Sequence, residues 1–445
     1  MWLHTRPPTR VRFSGLYAGG ILLSGIWGIA YLVSSPLHLD SHEYNRDTIS
    51  GTSCEDTVVR RKPVPQFEPN SRLDITSHLR KHESTLATNV LQRPRSNNPT
   101  EDDHAEAILP VPYGHWSFFA VLDGHSGWET STWLRENLIP ATSGALADLY
   151  DAKVNSPRSE GQGLLLPSTE DIERSIQDTF KRLDDDIVHS TVERVLSAGS
   201  RSMAVNLLAP AYAGSCALLA FYESPTRVLR IAITGDSRAV LGRPSIDKNG
   251  DTKYEVHILS VEQDGHNPAE EYRLNAHHPG EAVVVNGRVL GMGPSRAFGD
   301  AMYKWSKEIQ WKLKRSFLGR TPPATNCRAR DYIYGDGLWE CLTSGEAVGL
   351  VALWLEGQKG EHREGTDGDR QTSKVIEPKS LPILFEGEEH AKQFVNLDQN
   401  VATHLLRNAL GGADEDLLTA ILSMRAPRSR SFIDDITATV VFFGE

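Results

Sequence analysis

Cysteine is scarce in this chain: four residues in 445, at no paired metal-ligand spacing. That excludes a disulfide framework and a thiolate zinc centre. Excess basic charge is missing too, since the formal net charge is -11. A protein that grips nucleic acid needs a basic face to meet phosphates, so that class is set aside. No glycine-rich loop ending in Lys-Ser/Thr occurs, which argues against a nucleotide-triphosphate enzyme of that kind. Hydrophobic content of 39% and charged content of 24% are otherwise ordinary for a globular protein.

Acidic residues are absent from residues 1–39, which carry Arg6, Arg10 and Arg12. One long apolar run stands there, SGLYAGGILLSGIWGIAYLVS, from Ser14 to Ser34. A bilayer needs about 20 such residues as a helix, and a cleaved signal has a shorter apolar core. The run predicts a single membrane-spanning helix at 14–34 within an N-terminal targeting segment, 1–39. Arginine without acid also suits mitochondrial import, with an inner-membrane anchor as the expected location. Residues 40–95 are polar, proline-bearing and aperiodic, which reads as a linker to a globular domain at 96–445.

Within that domain Phe118–Leu122, Cys216–Tyr222, Val228–Ile233 and Ile436–Phe443 predict strands. Ser168 followed by Asp171 resembles a capping box, and Ile172, Ile176, Phe180, Leu183 and Ile187 follow on one helical face. Residues 268–276 and 346–355 also read as helices, and 356–374 as a solvated insertion. Irregular alternation of the two element types favours a layered α+β fold. Two lures fail on chemistry. CEDTVVR (54–60) has two acids and no glycine where amides should cradle an anion. DKNGDTKYEVHI (247–258) lacks the glycine and bidentate Glu of a calcium loop and reads as a hairpin on Asn249-Gly250. Cys216, inside an apolar run, reads as core.

The informative pattern is acid at the end of apolar runs. Asp123 follows FFAVL, Asp236 follows IAIT-Gly, Asp336 follows YIYG, and Asp434 and Asp435 precede the last strand. Glu101 and Asp102 stand near the start of the domain. A single Asp-Gly is more often a turn. Repetition at several strand ends points instead to acids converging on one sheet edge, and oxygen-only donors suit Mg²⁺ or Mn²⁺. His125, two residues from Asp123, is placed to protonate a leaving oxygen.

In order along the chain, Glu101-Asp102, AVLDGHSG, GSCALLAFY, ITGDSRAVLG, GRVLGMGPSRAFGD, GDGLWECLTSGEAVGLV and DDITATVVFF resemble the motifs of the metal-dependent protein phosphatases of type 2C. RAFGDAMYKWS, the TPP at 321–323 and NVATHLLRNALGG look like the branch of mitochondrial pyruvate dehydrogenase phosphatases and their fungal relatives. The resemblance implies a central antiparallel β-sandwich flanked by helices on both faces, in α-β-β-α layers. It implies two Mg²⁺ or Mn²⁺ ions held by Glu101, Asp123, the Gly124 carbonyl, Asp336 and Asp434, with Asp102 in support and Asp236 at a weaker third ion. His125 matches the general acid, and Asn97 stands where many relatives place a phosphate-binding arginine. The implied reaction is hydrolysis of phosphoserine or phosphothreonine by metal-activated water, with the pyruvate dehydrogenase complex a candidate substrate. One departure motivates an alternative, a phosphatase-like scaffold of impaired activity. Before Asp336 the chain runs TPPATNCRARDYIYGDGLWE, with Arg328, Arg330 and Asp331 where buried apolar residues are expected.

Overall fold

The computed structural model describes residues 9–12, 28–32, 86–90, 99–112, 114–154, 166–318, 338–361, 375–383, 392–424 and 434–443. The N-terminal strands are β1 (Thr9–Arg12), β2 (Gly28–Leu32) and β3 (Leu86–Val90). The long hairpin β4 (Asp103–Val111) and β5 (Gly114–Leu122) leads to the two-residue β6 (Gly124–His125). Four helices follow: α1 (Glu129–Val154), α2 (Thr169–Asp185), α3 (Thr191–Ala198) and α4 (Arg201–Tyr212). Next come β7 (Gly214–Ser215), β8 (Ala217–Glu223), β9 (Val228–Thr234), β10 (Val240–Ile246), β11 (Thr252–Ile258) and α5 (Pro268–His277). A small hairpin of β12 (Val284–Val285) and β13 (Arg288–Val289) precedes β14 (Phe298–Gly299), α6 (Ala301–Lys304) and α7 (Lys307–Leu313). The described chain closes with α8 (Leu338–Cys341), α9 (Ser344–Glu361), α10 (Val401–Leu410), α11 (Glu415–Ser423) and β15 (Thr439–Phe443).

Two five-stranded sheets, ordered β1-β9-β8-β5-β4 and β11-β10-β2-β15-β3, are antiparallel throughout. Side chains alternate across each strand, and here both faces are covered. Phe118, Ala120 and Leu122 of β5 join Leu219 and Phe221 of β8 in a core shared with the helices α1 to α4. Phe118 and Phe221 stack there with ring centroids 4.8 Å apart. The intervening Phe119 and Val121 face the other way, into a core completed by Leu241, Val441 and Phe443 of the second sheet. Val440 and Phe442, on the opposite face of that sheet, pack with α8, α9 and α10. The order of layers is helix, sheet, sheet, helix. Burial on both faces explains why FFAVL is a continuous apolar run rather than an alternating one.

Local chemistry forms the elements where it was expected. Ser168 accepts from the Asp171 N–H at 3.1 Å and the Asp171 carboxylate accepts from the Ser168 N–H, closing the capping box of α2. Its Ile172–Ile187 stripe is buried in the helical core. The β10–β11 turn is built on Asp247, whose Oδ1 accepts from the N–H of Asn249 at 2.8 Å and of Asp251 at 2.9 Å. Gly250 takes the φ of +88° that the turn requires.

Three expectations need correction. Gly28–Leu32, read as the end of a membrane-spanning helix, is instead a strand paired to β10 on one side and β15 on the other. A short apolar run fits a central strand as well as a helix, and periodicity alone does not separate them. Residues 14–27 and 33–34 of that run lie outside the described residues. Among the described residues no helix is long and apolar enough to cross a membrane. The linker at 40–95 contains β3, which pairs with β15 from Leu86 to Val90, so its last part belongs to the sandwich. Finally, α9 continues to Glu361, into the stretch read as a solvated insertion; residues 362–374 lie outside the described ones.

A titrating group sits in the second helical layer. His404 of α10 is fully buried, with Nε2 3.1 Å from the Leu350 carbonyl and Nδ1 3.3 Å from the Asn408 amide. Burial lowers its pKa to about 4. An unfolded histidine takes up a proton near pH 6.5 that this one refuses, so stability is whole above that pH and falls as pH drops toward 4. About 2 kcal/mol is expected to go between pH 7 and 5. Urea denaturation across that range should show the decline, and His404→Gln should flatten it. Equal slopes in the two proteins would refute the assignment.

Candidate metal-binding and catalytic site

Strand register gathers the acids. Asp103 pairs with Leu122, so Glu101 and Asp102, just before β4, sit at the sheet edge where Asp123 and Gly124 leave β5. Leu218 pairs with Val121 and Ala217 with Thr234, which brings Cys216 and Asp236 to the same edge. The Cys216 N–H donates to the Asp123 carbonyl at 2.7 Å. From the other end of the chain, Asp435 Oδ2 accepts the Glu101 N–H at 3.1 Å, and the Asp435 N–H donates to Asp434 Oδ1 at 2.6 Å. Thr437 Oγ1 donates to Asp102 Oδ2 at 2.6 Å, so Asp102 braces this junction.

Gly124 is held against Glu101. A Cβ at position 124 would lie 2.1 Å from the Glu101 carbonyl oxygen and 2.9 Å from Ser131 Oγ. Ser131, in the first turn of α1, donates to that same carbonyl. The approach therefore belongs to backbone, and backbone cannot swing aside as a long side chain can.

His125 lies on a three-stranded sheet ordered β14-β7-β6, and its Nε2 is 2.8 Å from Asp300 Oδ2. Burial by itself would lower the pKa of the ring. The charge and hydrogen bond of Asp300, with the charges of Asp236 and Glu101, outweigh this and raise it above 6.5. Asp236 is buried, which raises its carboxyl pKa, while the Cys216 thiol donating to Oδ1 at 3.0 Å pulls the other way. Burial, then the charges of Asp236 and Asp123, push the Cys216 thiol well above its ordinary range.

One ligand atom each from Asp123, Cys216 and Asp236 lie within 4.8 Å of one another. The thiol is protonated and soft, so the donors for a hard ion in this group are the two carboxylates. Two oxygen donors of this kind suit a hard ion such as Mg²⁺ or Mn²⁺.

Glu101, Asp102, Asp123, Gly124, His125, Asp236 and Asp434 are thus brought to one end of the sandwich. Asn97 and Asp336 lie outside the described residues, as does the 319–337 segment that motivated the scaffold alternative. Sequence reasoning gave no role to Asp300, to Ser131 or to Asp435 as the anchor of Glu101. For Asp300 a signal existed: AFGD repeats the pattern of an acid closing an apolar stretch.

The fold is a β-sandwich between helical layers with acids gathered at one strand edge. The family model for protein phosphatase 2C matches residues 92–370. A protein phosphatase 2C homolog of Schizosaccharomyces pombe is 35% identical over 448 aligned residues, spanning 93% of this chain and 94% of that one. The mitochondrial pyruvate dehydrogenase (acetyl-transferring)-phosphatase 1 of Saccharomyces cerevisiae is 32% identical over 415, spanning 80% and 68%. A solved serine-threonine phosphatase 2C from Toxoplasma gondii superposes with a TM-score of 0.40 at 17% identity, covering 81% of this chain and 95% of its own. The chain belongs to the protein phosphatase 2C family, whose members are protein serine/threonine phosphatases.

Gly124→Ala tests the close approach. The added methyl meets immovable backbone, so the variant should lose about 2 kcal/mol of stability. Its Mn²⁺ affinity by calorimetry should fall at least tenfold. Unchanged melting and Mn²⁺ binding would show that the Gly124–Glu101 contact is not needed.

Proposed function

We propose that this chain is a Mg²⁺- or Mn²⁺-dependent protein phosphatase that hydrolyses phosphoserine and phosphothreonine on the pyruvate dehydrogenase complex in mitochondria. The observation that supports the chemistry is that Asp123 and Asp236 offer ligand atoms within 4.8 Å of one another, near His125, at the edge where the Glu101 N–H is tied to Asp435. Glu101, Asp123, the Gly124 carbonyl and Asp434 would hold two ions, together with Asp336, and Asp236 a weaker third. Such ions, when bound, neutralise phosphoryl oxygens and lower the pKa of a water. As a water oxygen bonds to phosphorus and the bond from phosphorus to the seryl or threonyl oxygen breaks, His125 gives its proton to that departing oxygen. Positioning and charge do most of the work in phosphoryl transfer of this type.

The substrate assignment is supported by the Saccharomyces cerevisiae relative, whose name specifies pyruvate dehydrogenase and mitochondria. Arg6, Arg10 and Arg12 without acid before Asp40 suit import into the same compartment, although Arg10 and Arg12 also lie in β1, paired with β9, so the relative's name carries this assignment.

Phosphate release from a phosphoserine peptide by the purified chain should depend on added Mn²⁺ or Mg²⁺. Asp123→Asn should cut turnover by roughly 10²–10³-fold, the scale of losing one preorganised charge-stabilising group. His125→Asn should cost ~10²-fold on the peptide, in line with removing a general acid. On an aryl phosphate, whose leaving group needs no proton, the loss should be much smaller. Phosphorylated pyruvate dehydrogenase should be the faster substrate beside an unrelated phosphoprotein. A chain inert with both metals would defeat the enzymatic reading, and equal rates on the two proteins would defeat the substrate.

A further inference from the structure

We infer that Asp300 is a positioning residue for His125, fixing which ring nitrogen carries the transferable proton. The inference rests on the phosphatase reading above and deepens it. Asp300 is buried, 5% exposed, and its Oδ2 is 2.8 Å from His125 Nε2, the ring's hydrogen-bond partner among the described residues. With Nε2–H donating to Asp300, Nδ1 is the nitrogen left to give a proton to the departing oxygen. The ring then returns to the neutral form protonated at Nε2, and the proton count closes without a further group.

The local architecture serves this pair. β7 is the middle strand between β6, which carries His125, and β14, which ends one residue before Asp300. His125 and Gly299 both pair with Gly214, and the Asp300 N–H donates to the Ala213 carbonyl at 2.8 Å. A Cβ at Gly214 would lie 2.1 Å from His125 Nε2 and 2.7 Å from Asp300 Cγ, so the ion pair fills the space above that glycine. Asp300 stands at the N-terminus of α6 yet makes no side-chain cap, and its backbone is left-handed, at φ +48° and ψ 37°. A side chain at such a position ordinarily caps the helix. This one is turned to the imidazole instead, on a backbone conformation uncommon for residues other than glycine.

Asp300→Asn tests the assignment, because asparagine tolerates the left-handed backbone and keeps the shape while removing the carboxylate. With Mn²⁺ saturating, kcat on a phosphoserine peptide should fall at least tenfold with KM little changed, and the fall on an aryl phosphate should be several-fold smaller. In the His125→Asn background the same substitution should cost nothing more, the mark of two residues acting as one unit. Losses of equal size on both substrates, or losses that multiply in the double variant, would reduce Asp300 to a structural residue and overturn the inference.

A readout independent of turnover separates this failure from failure of the phosphatase reading. Long-range ¹H–¹⁵N correlation of the histidine-labelled chain in Mg²⁺ should show His125 protonated at Nε2 in a single form, and a mixture of tautomers in Asp300→Asn. The same tautomer population in both proteins would overturn the inference even if the enzyme is active. Wild-type chain inert on both substrates with the tautomer shift intact would sink the phosphatase reading and leave the positioning role standing.

Discussion

Carboxylates crowded together repel, and the rest of this molecule is organised around holding them in place against that repulsion. Two like charges 4 Å apart oppose each other by ~4 kcal/mol at an effective dielectric constant near 20. Asp123 and Asp236, whose ligand atoms lie within 4.8 Å of one another, leave different strands, and Glu101 and Asp434 come from the stretches before β4 and β15, so no short segment can hold them. What does is the antiparallel register of the first sheet, which fixes Asp103 opposite Leu122 and Thr234 opposite Ala217, backed by close-packed cores on both faces. Two cross-links then tie the stretch before β15 to the stretch before β4: Asp435 to the Glu101 N–H and Thr437 to Asp102. Oxygen donors assembled at such cost of repulsion become favourable once a small divalent cation sits among them.

The same edge shows how neutral partners temper the charge. Cys216 contributes a thiol, held protonated by burial and by the two acids beside it, and spends its hydrogen on Asp236. Asp300 faces His125 rather than the carboxylate group. Gly124 and Gly214 supply the close approaches, one for the Glu101 carbonyl and one for the imidazole and Asp300. Each of these is a backbone or small-group device. Among the described residues the site therefore depends on the sheets being formed.

Much of this was legible in the residues because strand ends announce themselves: an apolar run that stops at an acid marks a sheet edge, as at Leu122-Asp123. The capping box at Ser168 and the turn at Asn249-Gly250 were readable for the same reason, since local chemistry alone determines them. Residues that act across long separations were not. Asp300 meets His125 over 175 positions, and Asp435 meets Glu101 over 334, and a single chain carries no record of such pairings. The Gly28–Leu32 strand was misread because its neighbours, β10 and β15, lie hundreds of residues away and supply the reason for its apolarity.

Anomalous diffraction from crystals grown with Mn²⁺ would address the central claim most directly. Manganese peaks should lie among the side chains of Glu101, Asp123 and Asp434 and the carbonyl of Gly124. Peaks confined to other surfaces, with these acids left to water or to one another, would contradict it.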